Sequence, residues 1–446
     1  MIASRLRLVA GAGAVVAGGI ALSAAASNPA HAEAPSKTGG KKVIVVGGGT
    51  GGLGVAAQLK RKQPGLDITI IEPRDEHWYQ PMWTMIGGHL GYKASDSKRP
   101  MKDIIPAGVS WKQATVASFD PTNNTVVLST KDKMTYDTLV VAAGLKNDFE
   151  KIKGLKQALE DPECPVGTIY DSAYAEKTDK IMSQVKSGPV YFTHPLCPIK
   201  CGGAPQKVMW LWESAWRGMG LSKDIDISFV NGNPTMFPVP KYSQALQKMA
   251  EEKKVTTTFK THILEVNGKA RTATFQGEDG VKVVKPFAAL HVTPYMSPPE
   301  VIQKSPLANA AGFIDVDKHT LQHNKFSNVF ALGDSAALPT SKTAAAAMSQ
   351  SPVLVKNLLA SLQGDKITAS YNGYTSCPIL VGDGKLILAE FLYDGKVDET
   401  FGTFIDQSKP SRLMYHVKKD FFPWVYFGYC VKGQWYGRNA WFEPKV

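Results

Sequence analysis

Two groups of residues in this 446-residue sequence have the types and spacing to do chemistry. The first is Gly47-Gly48-Gly49-Thr50-Gly51-Gly52, which contains a GxGxxG pattern. Glycine belongs where a backbone must approach a phosphate. Gly47 permits a tight turn, Gly49 admits a pyrophosphate, and Gly52 lets the next helix pack closely, while the amides of Thr50 and Gly51 face the anion from that helix's N-terminus. Glu72, 20 residues after Gly52, can accept hydrogen bonds from ribose hydroxyls. The second group is cysteine. There are five, an odd number, so at least one thiol stays outside any intrachain pair. Cys197 and Cys201 stand four apart in a proline-bearing stretch, and Cys377 follows far downstream in Gly373-Tyr374-Thr375-Ser376-Cys377-Pro378. No second Cys/His pair sits at zinc spacing, which leaves redox-active thiols or buried structural ones.

A glycine-rich turn carries meaning only between the right elements. Residues 41–46, Lys-Lys-Val-Ile-Val-Val, read as a buried parallel strand, Leu53 to Arg61 as a helix, and Asp67 to Ile71 as a second strand ending at Glu72. Strand, loop, helix, strand and acid in that order make a dinucleotide-binding unit. Residues 136–144 have the form of the strand and turn that close the FAD domain in flavoproteins with two dinucleotide domains. Residues 328–334 resemble their second flavin signature, which places Gly333 and Asp334 beside the ribityl chain. The predicted fold is therefore α/β with two Rossmann-like domains. An FAD-binding domain (36–150 and 310–375) is interrupted by a second domain (151–309) carrying Cys201, and a C-terminal region (376–446) follows. In the insert, the strand at 188–193 runs into His194-Pro195-Leu196-Cys197-Pro198-Ile199-Lys200-Cys201, where a nicotinamide-nucleotide site would carry another GxGxxG. Proline offers no amide donor and crowds the approach, so NAD(P)H is not the expected electron donor. Cys201 and Cys377 then reach one flavin from opposite domains.

Longer motifs agree. Residues 77–84 (His-Trp-Tyr-Gln-Pro-Met-Trp-Thr), 200–207 (Lys-Cys-Gly-Gly-Ala-Pro-Gln-Lys), 292–299, 338–345 (Leu-Pro-Thr-Ser-Lys-Thr-Ala-Ala) and 373–378, with Glu72-Pro73, resemble sulfide:quinone oxidoreductases, the eukaryotic mitochondrial kind above all, over residues 41–446. The resemblance implies FAD as cofactor and Cys201 and Cys377 as the catalytic pair. Hydrosulfide would open a Cys201–Cys377 disulfide or sulfur-bridged link, leaving a persulfide, on Cys377, and a thiolate, on Cys201, that adds to the flavin. Electrons would pass to a ubiquinone-type quinone and the sulfur to a small acceptor (thiol, sulfite or sulfide). Gln80, the backbone of Val116 on the strand near Trp111, and Lys342, Thr343, Ala344 and Ala345 are the further flavin contacts implied. A cation at Lys342 would stabilise an anionic reduced ring, the alternative being an ordinary solvated lysine. Cys164, Cys197 and Cys430 match no catalytic position, although Cys197 is near enough in sequence to form a resting disulfide with Cys201.

The ends and the charge bear on location. The chain is 43% apolar and 20% charged with net charge +12, which suits an anionic membrane surface, nucleic acid or a small anionic substrate; within the family named above, nucleic acid is not an expected partner. Arg5 and Arg7 precede an Ala/Gly/Val/Leu stretch, and residues 1–35 read as a targeting leader. From Ser411 to Val446 there are eleven aromatics in 36 residues, with six basic side chains (Arg412, Lys418, Lys419, Lys432, Arg438, Lys445) against two acidic ones. That composition suits a membrane interface, with Phe421, Phe422, Trp424, Tyr426 and Phe427 as its densest group. Packing of the tail on the core is the alternative. The expected location is peripheral on the mitochondrial inner membrane, or on the periplasmic face of a bacterial one. Two other flavoproteins remain possible at this point: the flavoprotein subunit of a flavocytochrome c sulfide dehydrogenase and a type II NADH:quinone dehydrogenase.

Overall fold

The computed structural model describes residues 40–446, so the leader expected at 1–35 lies outside the described residues. The β-branched run Lys42–Val46 forms β1, buried along all but its first residue. Thr50–Lys62 forms α1, with Lys60, Arg61 and Lys62 in its last turn, where cations oppose the negative end of the helix dipole. Asp67–Ile71 forms β2, and Ser110–Lys112, Thr138–Val141 and Val166–Gly167 form β3, β4 and β5. Gly188–His194, Ile225–Asn231, Thr256–Thr258, Ala289–His291 and Val329–Ala331 are β6 to β10.

Two five-stranded parallel sheets result. The first runs β10-β4-β1-β2-β3 with β1 central, in register Val43↔Ile68 on one side and Val43↔Thr138 on the other. The second runs β5-β9-β6-β7-β8. Strands from residues 42–141 and 329–331 build the first and strands from 166–291 the second, and the two chain crossings between them pair antiparallel, Lys146–Asp148 with Tyr295–Ser297. Val116 starts a strand of its own (Val116–Asp120) in a small antiparallel sheet with Thr125–Leu128 and Lys133–Thr135. It is not on the strand of Trp111 as expected. The chain leaves β3 at Lys112 and turns, Ala114 N–H donating to the Lys112 carbonyl.

The helix Ala204–Gly218 (α2) follows β6, and the helix Ala344–Gln363 (α3) packs on α1, where Gly54 comes close to Ser351. Thr375–Leu380 (β11) and Leu386–Phe391 (β12) form an antiparallel hairpin with Cys377 opposite Ala389. The expected boundary at 375/376 falls inside β11. Sequence alternation explains why the hairpin cannot be divided there. Cys377, Ile379, Val381, Ile387, Ala389 and Phe391 bury in the core of the second domain, whereas Leu380, Leu386 and Leu388 bury in the core of the first. Successive strand side chains point to opposite faces, so one hairpin joins both cores and aims Cys377 at the second domain.

The tail is helical from Arg412 to Cys430, with two wide π-turns, Val417–Phe421 and Tyr426–Cys430. Among the described residues no helix is long and apolar enough to cross a membrane. Tyr426 is buried, and so is Lys418, while Arg438 pairs with Asp398 and stacks over the Tyr374 ring. Three of the side chains expected at a lipid surface therefore point inward, because each finds a polar or aromatic partner there. Among the described residues, the exposed large apolar side chains from Phe404 onward are Phe404, Leu413, Trp424, Trp441 and Phe442.

Truncating Ile379 to Ala should cost about 2–5 kcal/mol, because it empties a site in the core that the hairpin shares with α2. Val284→Ala, on an exposed strand, should stay within about 0.5 kcal/mol of wild type. Urea unfolding followed by circular dichroism checks both, and equal effects would contradict the hairpin's structural role.

Candidate active site

The glycine-rich turn leaves the end of β1 and enters α1 at Thr50, with Gly49 as N-cap. Gly47 has φ +105°, a conformation that costs a non-glycine residue strain, and a Cβ there would overlap the Ala142 carbonyl oxygen. A Cβ at Gly52 would overlap the Gly47 carbonyl oxygen. Gly49 is different: a Cβ there meets no protein atom within 4 Å. Protein packing does not require glycine at this position. The open space is the wall of a cavity of about 1160 Å³, which Gly47, Gly49, Thr50 and Gly51 line together with Glu72, Gln80 and Val116. Gly333, Asp334, Lys342, Thr343, Ala344 and Ala345 line the same cavity. A backbone cradle at a helix N-terminus with bare glycine facing open space fits a dinucleotide pyrophosphate. Glu72 is buried and already holds the turn, its Oε2 accepting from Gly48 N–H at 2.8 Å and its Oε1 from Arg74 Nε at 3.0 Å.

The corresponding turn of the second domain is built otherwise. β6 ends at His194 and α2 begins only at Ala204, ten residues later. Cys201, at φ +49°, stands in the left-handed region that non-glycine residues seldom occupy. Its N–H donates to the Lys342 carbonyl at 2.7 Å, which ties the second domain's loop to the first domain's. Its Sγ lies 3.6 Å from Cys377 Sγ, and Lys207 Nζ donates to it at 3.1 Å. Gly203, the N-cap of α2, has no room for a side chain, since a Cβ would stand 2.5 Å from Cys377 Sγ. The positive helix end that faces a phosphate in a nucleotide domain faces sulfur here.

Charge on the pair follows from these contacts. The hydrogen bond from Cys377, followed by the Lys207 ammonium, holds Cys201 well below the ordinary thiol range despite burial. Cys377 is pushed up by that same bond and by burial. These contacts favour the ionised form at Cys201 and the protonated form at Cys377. Burial lowers Lys418 to about 7, assisted by repulsion from Lys207, and lowers Lys342 to about 8. Lys342 is buried, donates to the Ala336 carbonyl at 2.7 Å and lies 4.9 Å from the Phe313 ring, so it is not a solvated surface lysine. Burial raises Asp334, against the opposing pull of Lys342 and Lys200.

Residues 41–184 match the pyridine nucleotide-disulphide oxidoreductase family. The chain is 44% identical over 427 residues to the mitochondrial sulfide:quinone oxidoreductase of Schizosaccharomyces pombe, covering 90% of this chain and 93% of that one. It is 40% identical over 398 residues to the mitochondrial enzyme of the same name from Mus musculus, covering 89% and 87%. The chain belongs to the sulfide:quinone oxidoreductase family. The solved sulfide:quinone oxidoreductase of Aquifex aeolicus superposes with a TM-score of 0.73 at 19% identity, over 86% of this chain and 91% of that one, and so shares the fold.

Within this member of the family, the structure brings Cys201 and Cys377 together and places the expected cofactor residues around one cavity, except Gly52, which packs against the Gly47 carbonyl instead. Cys197 is not drawn to Cys201, all five cysteines are free thiols, and Cys164 and Cys430 are buried. Two lysines next to the thiols escape a reading of the sequence. Lys207 was visible inside the 200–207 block, but its reach back to Cys201 depends on α2 starting between them. Lys418 was read as a lipid-facing cation; its first π-turn instead turns it inward to the Pro81 carbonyl at 3.4 Å.

Replacing Lys207 with Met removes the cation that holds Cys201 ionised, so the thiolate absorbance of the protein should develop at higher pH than in wild type. A pH titration of ultraviolet absorbance checks this. An unchanged midpoint would mean that the hydrogen bond from Cys377 suffices without the lysine.

Proposed function

We propose that the chain catalyses FAD-dependent oxidation of hydrogen sulfide to sulfane sulfur at Cys201 and Cys377 and passes the electrons to a membrane quinone. The observation that carries this reading is the 3.6 Å approach of Cys377 Sγ to Cys201 Sγ, Cys201 itself lining the cavity that begins at the glycine-rich turn. FAD would be held by Gly47 to Gly52, Glu72, Gln80, Val116, Gly333, Asp334 and Lys342 to Ala345, and when bound it supplies two-electron acceptance from sulfur and donation to quinone. The domains proposed are 36–150 with 310–374 for FAD and 151–309 for Cys201, the hairpin 375–391 being shared between them, and 392–446 for the quinone and membrane side.

The chemistry assigned to the chain's own residues begins with an oxidised Cys201–Cys377 disulfide. Hydrosulfide attacks one sulfur and expels the other as thiolate. The better leaving group is the thiolate of lower pKa, and Lys207 stabilises Cys201 in that role. The S–S bond breaks, a new S–S bond forms, and Cys377 carries the persulfide while Cys201 leaves as thiolate. A small thiol then takes the outer sulfur from Cys377. Over the cycle, hydrosulfide, thiol, quinone and one proton give a persulfide and a quinol, so two electrons leave sulfur and reach the quinone. Lys418, near 7, exchanges a proton at neutral pH within the same wall. Lys342 places a cation beside Asp334 and the Gly333 turn, where it would stabilise the negative charge of a bound flavin when reduced.

The cavity runs outward to Phe404, Leu413, Trp441 and Phe442, which are exposed as well as cavity-lining. Exposed aromatics at a cavity mouth suit a bilayer interface from which a quinone tail enters. Together with relatives named as mitochondrial, this supports a peripheral position on the mitochondrial inner membrane. NADH is a poor donor on this geometry, since α2 presents its N-terminus to sulfur and no second glycine cradle precedes it.

Sulfide should bleach the flavin of the purified protein within seconds and NADH should not. Cys201→Ser and Cys377→Ser should each retain FAD and lose nearly all sulfide-dependent reduction of decylubiquinone. Full turnover in either variant, or rapid bleaching by NADH, would overturn the reading.

A further inference from the structure

The C-terminal segment does more than surround the cavity mouth, because it touches the glycine-rich turn. The Tyr426 hydroxyl lies 2.8 Å from Thr50 Oγ1 and 2.7 Å from His77 Nε2, and His77 Nδ1 lies 2.9 Å from the Gly48 carbonyl oxygen. A carbonyl only accepts, so the proton sits on Nδ1. Burial keeps the imidazole neutral at physiological pH, with its pKa lowered to about 4. Nε2 is therefore a bare acceptor, Tyr426 donates to it, and Thr50 donates to Tyr426. One proton arrangement satisfies all four groups. Its far end is the Gly48 residue, whose N–H is gripped from the other side by Glu72 at 2.8 Å. Gly49, Thr50 and Gly51, which follow Gly48, are residues that line the cavity.

The same segment continues along α1. Gly433, at φ +65°, lies on the helix backbone, where a Cβ would stand 2.7 Å from Gln58 N and 3.0 Å from Ala57 C. Arg61 Nη1 donates to the Gly433 carbonyl at 3.4 Å, and Lys62 pairs with Glu443. Docking thus extends from the first residue of α1 to its last.

We propose that the segment from Tyr426 to Glu443 is a latch on the glycine-rich turn: its docking on α1 holds Gly48 and Thr50 in their phosphate-binding arrangement and so sets the affinity for the dinucleotide. The proposal rests on the FAD reading above. Tyr426 and His77 are positioning residues, acting through the backbone of the turn. Coupling of this kind is reciprocal, so bound dinucleotide must also hold the tail down.

The test strips FAD from the full chain and titrates it back, reading flavin fluorescence. Tyr426→Phe keeps the ring and deletes the hydroxyl, orphaning two partners, and should weaken FAD binding by about tenfold. Thr50→Val should cost a similar factor, and the double variant little more than either alone, because both break one chain. Gly433→Val, two helical turns from Thr50, should weaken FAD binding by lifting the tail. In wild type, chymotrypsin should cut after residue 426 faster in the apoprotein than in the FAD-loaded protein. Wild-type protein that takes up no FAD sinks the functional reading. Wild-type uptake with unchanged affinity in Tyr426→Phe and Gly433→Val sinks the latch alone. A lower apoprotein Tm with unchanged FAD affinity would assign Tyr426 to packing and overturn the latch, as would fully additive losses in the double variant.

Discussion

The contact on which the rest of the structure depends is the one between Cys201, Cys377 and Lys207. A thiolate buried without a partner is expensive, and the cost falls steeply when a cation and a hydrogen-bond donor meet it. Each of the three groups arrives on a different element. Cys201 comes on a strained loop tied to the Lys342 carbonyl, Lys207 on α2, and Cys377 on a hairpin whose two faces lie in two different cores. The two domains could not slide against each other without pulling the sulfurs apart. This explains why the hairpin carries buried apolar side chains on both faces and why Gly203 has no side chain.

The same constraint accounts for the altered second domain. A Rossmann-like unit normally uses the first turn after its first strand to place a helix N-terminus against phosphate. Here nine residues separate β6 from α2, prolines occupy the loop, and the helix end meets sulfur. The fold keeps its helix end and turns it from a phosphate site to the cysteine pair. The first domain keeps the device in a form that fits a phosphate, with Gly49 bare against the cavity and Glu72 bracing the turn from behind.

Much of this was legible in the residues, and the limit is physical. The β1–turn–α1–β2–Glu72 unit is contiguous, so spacing alone reveals it, and its strands fall within a residue of where the pattern puts them. Cys201 and Cys377 are 176 residues apart, and no local periodicity joins them; family resemblance does. The tail shows the reverse case. Its Tyr, Trp, Lys and Arg content suits both a lipid interface and a packed aromatic cover, and composition cannot say which residues find partners. Tyr426 finds Thr50 and His77 across 376 and 349 residues, Lys418 finds Pro81, and Arg438 finds Tyr374, so the surface-like composition is divided between inside and outside.

The central claim is that asymmetry between the two sulfurs directs the reaction: Cys201 leaves as thiolate and Cys377 keeps the sulfur. The most direct measurement reacts the oxidised protein with one equivalent of sulfide without quinone or acceptor, traps it with an alkylating agent and determines peptide masses. The account predicts one added sulfur on the peptide containing Cys377 and a plain alkylated Cys201. An added sulfur on Cys201, with Cys377 alkylated directly, would contradict it.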